Sequence, residues 1–151
     1  MLLGERICTK AIQDNPYQEG TIENYLEVLY VYLILTMLSI IETILRCDDL
    51  NKYDWYHLVD LESGLLKGSV HETITARCGD EIERLFVRVI NMRNRIIHSY
   101  QITNKAGEQA LATKDPIRNG NRQFEITEEY LVEFIKLNEQ LCDKLHTLRG
   151  Y

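Results

Sequence analysis

Glu81-Ile82-Glu83-Arg84-Leu85-Phe86-Val87-Arg88-Val89-Ile90-Asn91-Met92-Arg93-Asn94-Arg95-Ile96-Ile97-His98 is the stretch that decides the fold. On an ideal helix turning about 100° per residue, Ile82, Leu85, Phe86, Val89, Ile90, Met92, Ile96 and Ile97 gather on one broad face. Arg84, Arg88 and Arg95 fall within about 40° of one another on the opposite side. Asp80 stands at the capping position and Glu83 three residues on, the arrangement of a capping box. The pattern predicts a helix from Glu81 to about His98, one side against a core and the other in water.

Working outward toward the N-terminus, Cys78-Gly79-Asp80 separates this helix from a short one around His71 to Arg77. Lys67-Gly68-Ser69 closes a helix predicted over about Asp54 to Leu66, and Asp48-Asp49-Leu50-Asn51 breaks a longer one over about Thr21 to Arg46. The middle of that long helix is apolar on nearly every face, which suits the centre of a bundle or a dimer interface. Its uncharged run, Val28 to Ile41, is 14 residues between Glu27 and Glu42. A membrane span takes roughly 20, so the run reads as a buried core helix. Residues 1–18 read as a short helix or strap ending at Asp14-Asn15-Pro16.

Toward the C-terminus, residues 101–126 are polar, bear Gly and Asn, and are poor in large apolar side chains. Asn119-Gly120 between Ile117 and Phe124 has the form of a hairpin turn, and the segment is expected to be an excursion with two short strands. Thr127 then caps a last helix, with Glu128 and Glu129 suiting its dipole. Leu131, Phe134, Ile135, Leu141, Leu145 and Leu148 form its core stripe. The expected architecture is all-α: a single domain over 1–151, a bundle of four to five main helices, with a hairpin-bearing excursion at about 101–126.

At 151 residues the chain is long enough to bury a core without staples, and 45% hydrophobic and 26% charged residues are those of a globular protein. Cys8, Cys47, Cys78 and Cys142 form no CxxC pair and no short His/Cys spacing, which argues against a disulfide framework or a zinc site and for reduced thiols in the cytosol. The N-terminus shows no sustained apolar region of a secretory signal. A net charge of −6 disfavours a general nucleic-acid coat, yet Arg84, Arg88, Arg93 and Arg95 place four of the 17 basic residues within twelve positions. There is no HExxH, Gly-rich phosphate loop or GxSxG.

Chemistry concentrates at the end of the Glu81–His98 helix. Arg93 projects into the middle of the apolar face, where an unpaired guanidinium is costly, so a carboxylate, a phosphate or a wet cleft between subunits must compensate it. Asn94 and His98 lie one turn apart on a flank of the same helix, and Tyr100 follows. A guanidinium, an amide, an imidazole and a phenol within about two turns can bind a phosphate and move protons around it. The plainer reading is a His that complements the helix dipole and an Arg in solvent. Glu42 ends the uncharged run and is read either as an end-of-helix residue in water or as a carboxylate facing this motif. The Arg84/Arg88/Arg95 stripe is read first as a solvated face; Arg95, inside the motif, and Arg88 are the candidates for substrate contact. Tyr53, Trp55 and Tyr56 read as packing, with a base-stacking platform as the other possibility. His57, His71 and His146 show no ligand spacing.

The form Arg93-Asn94-x3-His98-x-Tyr100 resembles the signature of HEPN-domain ribonucleases, and its trailing Tyr resembles the HepT-like toxin branch. The resemblance implies a metal-independent endoribonuclease, without cofactor, in which a ribose 2′-OH attacks the adjacent phosphate of RNA to leave a 2′,3′-cyclic phosphate and a 5′-OH. It implies His98 as general acid or base, Arg93 stabilising the phosphoryl charge, Asn94 holding His98 or the phosphate, and Glu42 pairing with Arg93 or orienting His98. It also implies a homodimer with both motifs in one cleft, acting as a toxin or anti-phage effector. A partner nucleotidyltransferase would serve as antitoxin by placing AMP on Tyr100. A non-catalytic HEPN-like module binding RNA, a nucleotide or a protein partner is the second expectation.

Overall fold

The computed structural model describes residues 22–150, so the strap expected over 1–18 lies outside the described residues. Helix α1 is Ile22–Cys47, α2 is Trp55–Asp60 and α3 is Leu66–Val70. A π-helical turn, His71–Thr75, joins α3 to α4, Ala76–Cys78, as one winding run. Helix α5 is Glu81–Ile97 and α6 is Glu128–Arg149. Between them stand strands β1 (Tyr100–Thr103), β2 (Gln109–Lys114) and β3 (Gln123–Glu125). The chain is mostly helical, as expected, but not all-α: a three-stranded antiparallel sheet in the order β1-β2-β3 occupies the excursion.

The core is the shared apolar face of the three long helices. Ile40 and Ile44 of α1, Phe86 and Val89 of α5, and Leu131, Phe134, Leu141 and Leu145 of α6 are buried, with Leu58, Leu66, Val70 and Ile74 closing one side. Leu148 packs partly against this cluster, whereas Ile97, assigned to the apolar face from periodicity, is 51% exposed where α5 ends. Polar groups inside the bundle fix the register of α1 on α6. Thr36 Oγ1 donates to Asn138 Oδ1 at 2.9 Å, and Asn138 Nδ2 donates to the Phe134 carbonyl at 2.7 Å. By length and composition Glu27–Cys47 would suffice to cross a membrane, which the narrower 14-residue count missed. Half of that stretch is buried against the rest of the bundle.

Element ends follow local chemistry, with three departures from expectation. The break at Asp48–Asn51 is made by Asp48 Oδ2 accepting from the Tyr53 N–H at 2.7 Å and by Asn51 at φ 49. Thr127 caps α6 by accepting from the Tyr130 N–H at 3.3 Å. The helix predicted over Asp54–Leu66 stops at Asp60, and Gly68 and Ser69 lie inside the next helix instead of breaking it. The capping box at α5 is not made. Asp80 makes no cap bond and takes Arg84 at 3.2 Å, while Glu83 Oε2 accepts from His71 Nδ1 at 2.8 Å and Thr75 Oγ1 at 2.9 Å. Glu83 thereby ties the two ends of the π turn to α5.

The excursion has three strands, not two, and its first turn is not the Asn-Gly pair. Asn104 Oδ1 accepts from the N–H groups of Ala106 and Glu108 at 2.9 and 3.0 Å, and Gly107 takes φ 83. This turn joins β1 to β2, with Tyr100 opposite Ala112 and Thr103 opposite Gln109. Asn119-Gly120 belongs to the longer β2–β3 connection, a 3-10 turn over Ile117–Asn119 followed by Gly120 at φ 92 and Asn121 at φ 51. Asp115 N–H donates to the Arg122 carbonyl at 2.9 Å and closes that loop.

Candidate functional site

Helix α5 ends at Ile97 because His98 leaves helical geometry at φ −92, ψ 21, and the chain turns directly into β1. Arg93, Asn94 and His98 share this helix end. Arg93 is half-buried, as its place on the apolar face requires. Its Nη1 donates to Asn94 Oδ1 at 3.0 Å, and its Nε is buried without a hydrogen-bond partner. Among the described residues no acid pairs with Arg93. Asn94 also accepts the His98 N–H on its main-chain oxygen at 3.0 Å, so it joins the guanidinium to the backbone beneath the imidazole. The side chain of Asn94 is thus spent on Arg93, not on His98. His98 is exposed, and its ring projects from the last turn.

Two expected members of the site lie elsewhere. Glu42 accepts from Arg46 at 2.9 Å and faces Arg149 at 3.5 Å. Lys144 of α6 meets Glu81 at the start of α5, and Arg46 reaches the Arg149 carbonyl, so the end of α1 lies beside the start of α5. Arg93 stands twelve residues further along α5, about 18 Å at 1.5 Å per residue, so Glu42 neither pairs with Arg93 nor orients His98 within one chain. Tyr100 does not extend the helix toward Arg93. It opens β1 opposite Ala112 and is 42% exposed.

The arginine stripe divides. Arg84 pairs with Asp80 at 3.2 Å and Arg88 with Glu133 at 3.4 Å, above a groove that also holds Glu81, Asp143 and Lys144. That is a compensated, solvated face, and Arg88 stands outside the motif's surroundings. Arg95 turns instead toward the sheet and donates to the Lys114 carbonyl. There it lines a cleft of about 430 Å³ between α5, the β2–β3 connection and the start of α6. Arg118, Arg122, Phe124 and Tyr130 line the same cleft. Burial pushes the Tyr130 phenol up to about 12, so it stays protonated at any working pH.

Sequence reasoning passed over Arg118, Arg122 and Phe124 because they lie in a segment read as a polar excursion. Their spacing, two arginines four apart and an aromatic two further on, was the available signal. It passed over Arg149 as well. That side chain is 1% exposed and donates from Nη1 to the Ser39 carbonyl at 2.9 Å and to Ser39 Oγ at 2.8 Å. Arg149 takes the carboxylate that had been expected for Arg93. Tyr53 donates to Glu72 at 2.6 Å and Trp55 and Tyr56 lie on α2, with no common stacking platform among them and the motif. No protein-family model, curated protein or solved structure matches this chain.

Proposed function

We propose that this chain is a metal-independent endoribonuclease of HEPN type, with His98 as the general acid or base and Arg93 as the cation that stabilises the phosphoryl oxygens. The observation that carries the reading is the state of Arg93. It is half-buried, bonded to a single neighbouring amide and left with an unsatisfied Nε, five residues along the helix from an exposed imidazole. A guanidinium held this way has donors to spare for a phosphate, in the planar geometry that phosphate accepts. An imidazole suits proton transfer to and from a ribose hydroxyl. Asn94 is a positioning residue for Arg93.

One Arg and one His make half of the machinery, so the proposal includes a homodimer that brings two motifs to one cleft. Tyr30, Ile34 and Leu38 favour it: they repeat every fourth residue of α1 and remain 68%, 43% and 38% exposed. The proposal places the protein in the cytosol as a toxin or defence effector. The exposure of Tyr100 suits modification by a partner nucleotidyltransferase. The second reading, a non-catalytic module that binds RNA, a nucleotide or a protein partner, is favoured by one observation: no carboxylate orients His98 among the described residues.

Purified protein incubated with total RNA in excess EDTA tests the first reading. Cleavage leaving 2′,3′-cyclic phosphates, lost in His98→Ala and in Arg93→Ala, is the expected result. Intact RNA with folded wild-type protein whose mass shows no adduct on Tyr100 would overturn it in favour of the binding module.

A further inference from the structure

Three arginines converge on the cleft between α5 and the sheet from separate pieces of chain. Arg95 comes from the last turn of α5, Arg118 from the 3-10 turn and Arg122 from the strand-ward end of the same connection. Asp115 is the one acid in the lining, and it faces Arg122 at 3.8 Å, so the cleft carries an excess of two positive charges in a chain of net charge −6. Arg118 has no acid partner among the described residues. The Arg95 guanidinium is braced by the Lys114 carbonyl, which ties the motif helix to β2 and leaves its other N–H groups to face the cleft. Phe124 and Tyr130 line the same space with ring centroids 5.7 Å apart and planes inclined by 50°. Their surfaces are only partly covered by the bundle.

Arg84 and Arg88, about two to three turns earlier on the same stripe of α5, each have a carboxylate within 3.4 Å, whereas among the described residues Arg95 and Arg118 have none and Arg122 has Asp115 at 3.8 Å. The grouping at the sheet therefore does not follow from a general scatter of surface charge. An anion satisfies three guanidinium groups, and the tilted aromatic pair adds an apolar ring surface beside that anion. Phosphate beside a flat ring describes a nucleotide unit of a single strand, in which sequence-tolerant stacking accompanies backbone contact. A duplex, with its bases stacked inside, cannot offer the ring.

We propose that the Arg95, Arg118 and Arg122 cleft, walled by Phe124 and Tyr130, is a strand-holding subsite. It binds one phosphate and base of single-stranded RNA next to the phosphate cleaved at His98. The proposal rests on the ribonuclease reading for the identity of the strand, and it gives the sheet excursion its purpose: Arg95 and His98 are three residues apart at one helix end, so a strand lying in the cleft passes the imidazole.

The test is fluorescence anisotropy with a labelled oligouridine of about 12 nucleotides, on full-length His98→Ala protein, in which binding is separated from turnover. Adding Arg118→Gln and Arg122→Gln together is expected to weaken binding about tenfold and to reduce the slope of log affinity against log salt by about 0.7, the value for one phosphate contact on a single strand. Arg84→Gln with Arg88→Gln removes the same charge from the earlier turns of α5, outside the cleft, and is expected to change neither. Equal losses in the two pairs, or an unchanged slope in the cleft pair, overturn the subsite. In the His98-containing protein, cleavage with an unchanged KM after the cleft substitutions also overturns the subsite and leaves the ribonuclease reading standing. Strand binding that depends on the cleft, in a wild-type protein that cuts nothing, sinks the ribonuclease reading and leaves the subsite.

Discussion

Two arginines with opposite accounts make the sharpest prediction. Arg149 is 1% exposed and bonded to Ser39 and Thr43 in α1, with Glu42 at 3.5 Å. Arg149→Met keeps most of the stem volume and removes these charge-assisted bonds, worth about 1.5–3 kcal/mol, while the Ser39 carbonyl keeps the Thr43 hydroxyl at 2.7 Å. Glu42 keeps Arg46 at 2.9 Å and partial access to water, so its charge is not stranded and the loss stays near the lower end of the 3–5 kcal/mol typical for a broken buried pair. We expect a loss of about 3 kcal/mol. Arg93→Met, in contrast, removes one bond to an adjacent amide, worth about 1 kcal/mol, and strands no carboxylate. The loss is about 1 kcal/mol or less, with activity abolished.

Urea unfolding followed by circular dichroism reads both numbers at one fixed protein concentration, so that self-association contributes equally. With a slope of about 2 kcal/mol per molar for a domain of this size, Arg149→Met lowers the midpoint by about 1.5 M while Arg93→Met lowers it by about 0.5 M or less. A fall for Arg93→Met as large as that for Arg149→Met would refute the reasoning. It would mean that Arg93 is a structural ion and that its unsatisfied donor is not held for a ligand.

Further outcomes follow from individual contacts. The His71 ring, and then the Thr75 hydroxyl, hold the Glu83 carboxyl below the ordinary glutamate range. A lowered carboxylate contributes stability above its unfolded value of about 4.3 and loses it as pH falls through the folded value, so wild type should lose midpoint against Glu83→Gln only below about pH 4.5 in paired urea titrations. Thr127→Ala removes the cap of α6 and should cost about 1 kcal/mol by the same denaturation assay, whereas Asp80→Ala, whose side chain caps nothing, should cost less than about 0.5 kcal/mol. Ile34→Glu places a charge in the exposed α1 stripe and should convert a dimer to a monomer in sedimentation velocity; a wild type that is already monomeric at micromolar concentration removes the composite-site proposal.

The fold was legible where a single element announces itself. The 3.6-residue period of α5, the Asp48–Asn51 break and the Thr127 cap are local, and each forms where the residues indicate. The sheet was only half legible, for a physical reason. Tyr100-Gln101-Ile102-Thr103 is short, begins two residues after a helix, and is made a strand by pairing with Gln109–Ala112 across a turn built on the Asn104 side chain. Asn-Gly drew attention to the wrong turn because Gly120 needs positive φ inside a longer loop as much as it would in a hairpin. Glu42 illustrates the other failure. Its isolation after an uncharged run drew attention to it, but its partner, Arg149, stands 107 positions away in the sequence, and only the pairing of α1 with α6 reveals it.

Consecutive helical residues point in directions about 100° apart, so Arg93, Asn94 and Arg95 cannot act on one surface. The structure turns this constraint to use. Arg93 and Asn94 stay together on the flank that meets the bundle, and Arg95 is pulled by the Lys114 carbonyl to the sheet. A motif helix followed directly by the last helix would leave Arg95 in solvent, the ordinary fate of an arginine on a polar face. The excursion gives it a wall, two further guanidinium groups and an aromatic pair. In such an arrangement the helix end sets the chemistry and the inserted sheet sets which strand is presented to it. Changes in Arg118 or Arg122 would then shift affinity and strand preference, while changes in Arg93 or His98 would remove turnover. A domain whose cleavage and strand choice both failed from either set alone would have no such division, and the sheet would then be no more than a cover on the bundle.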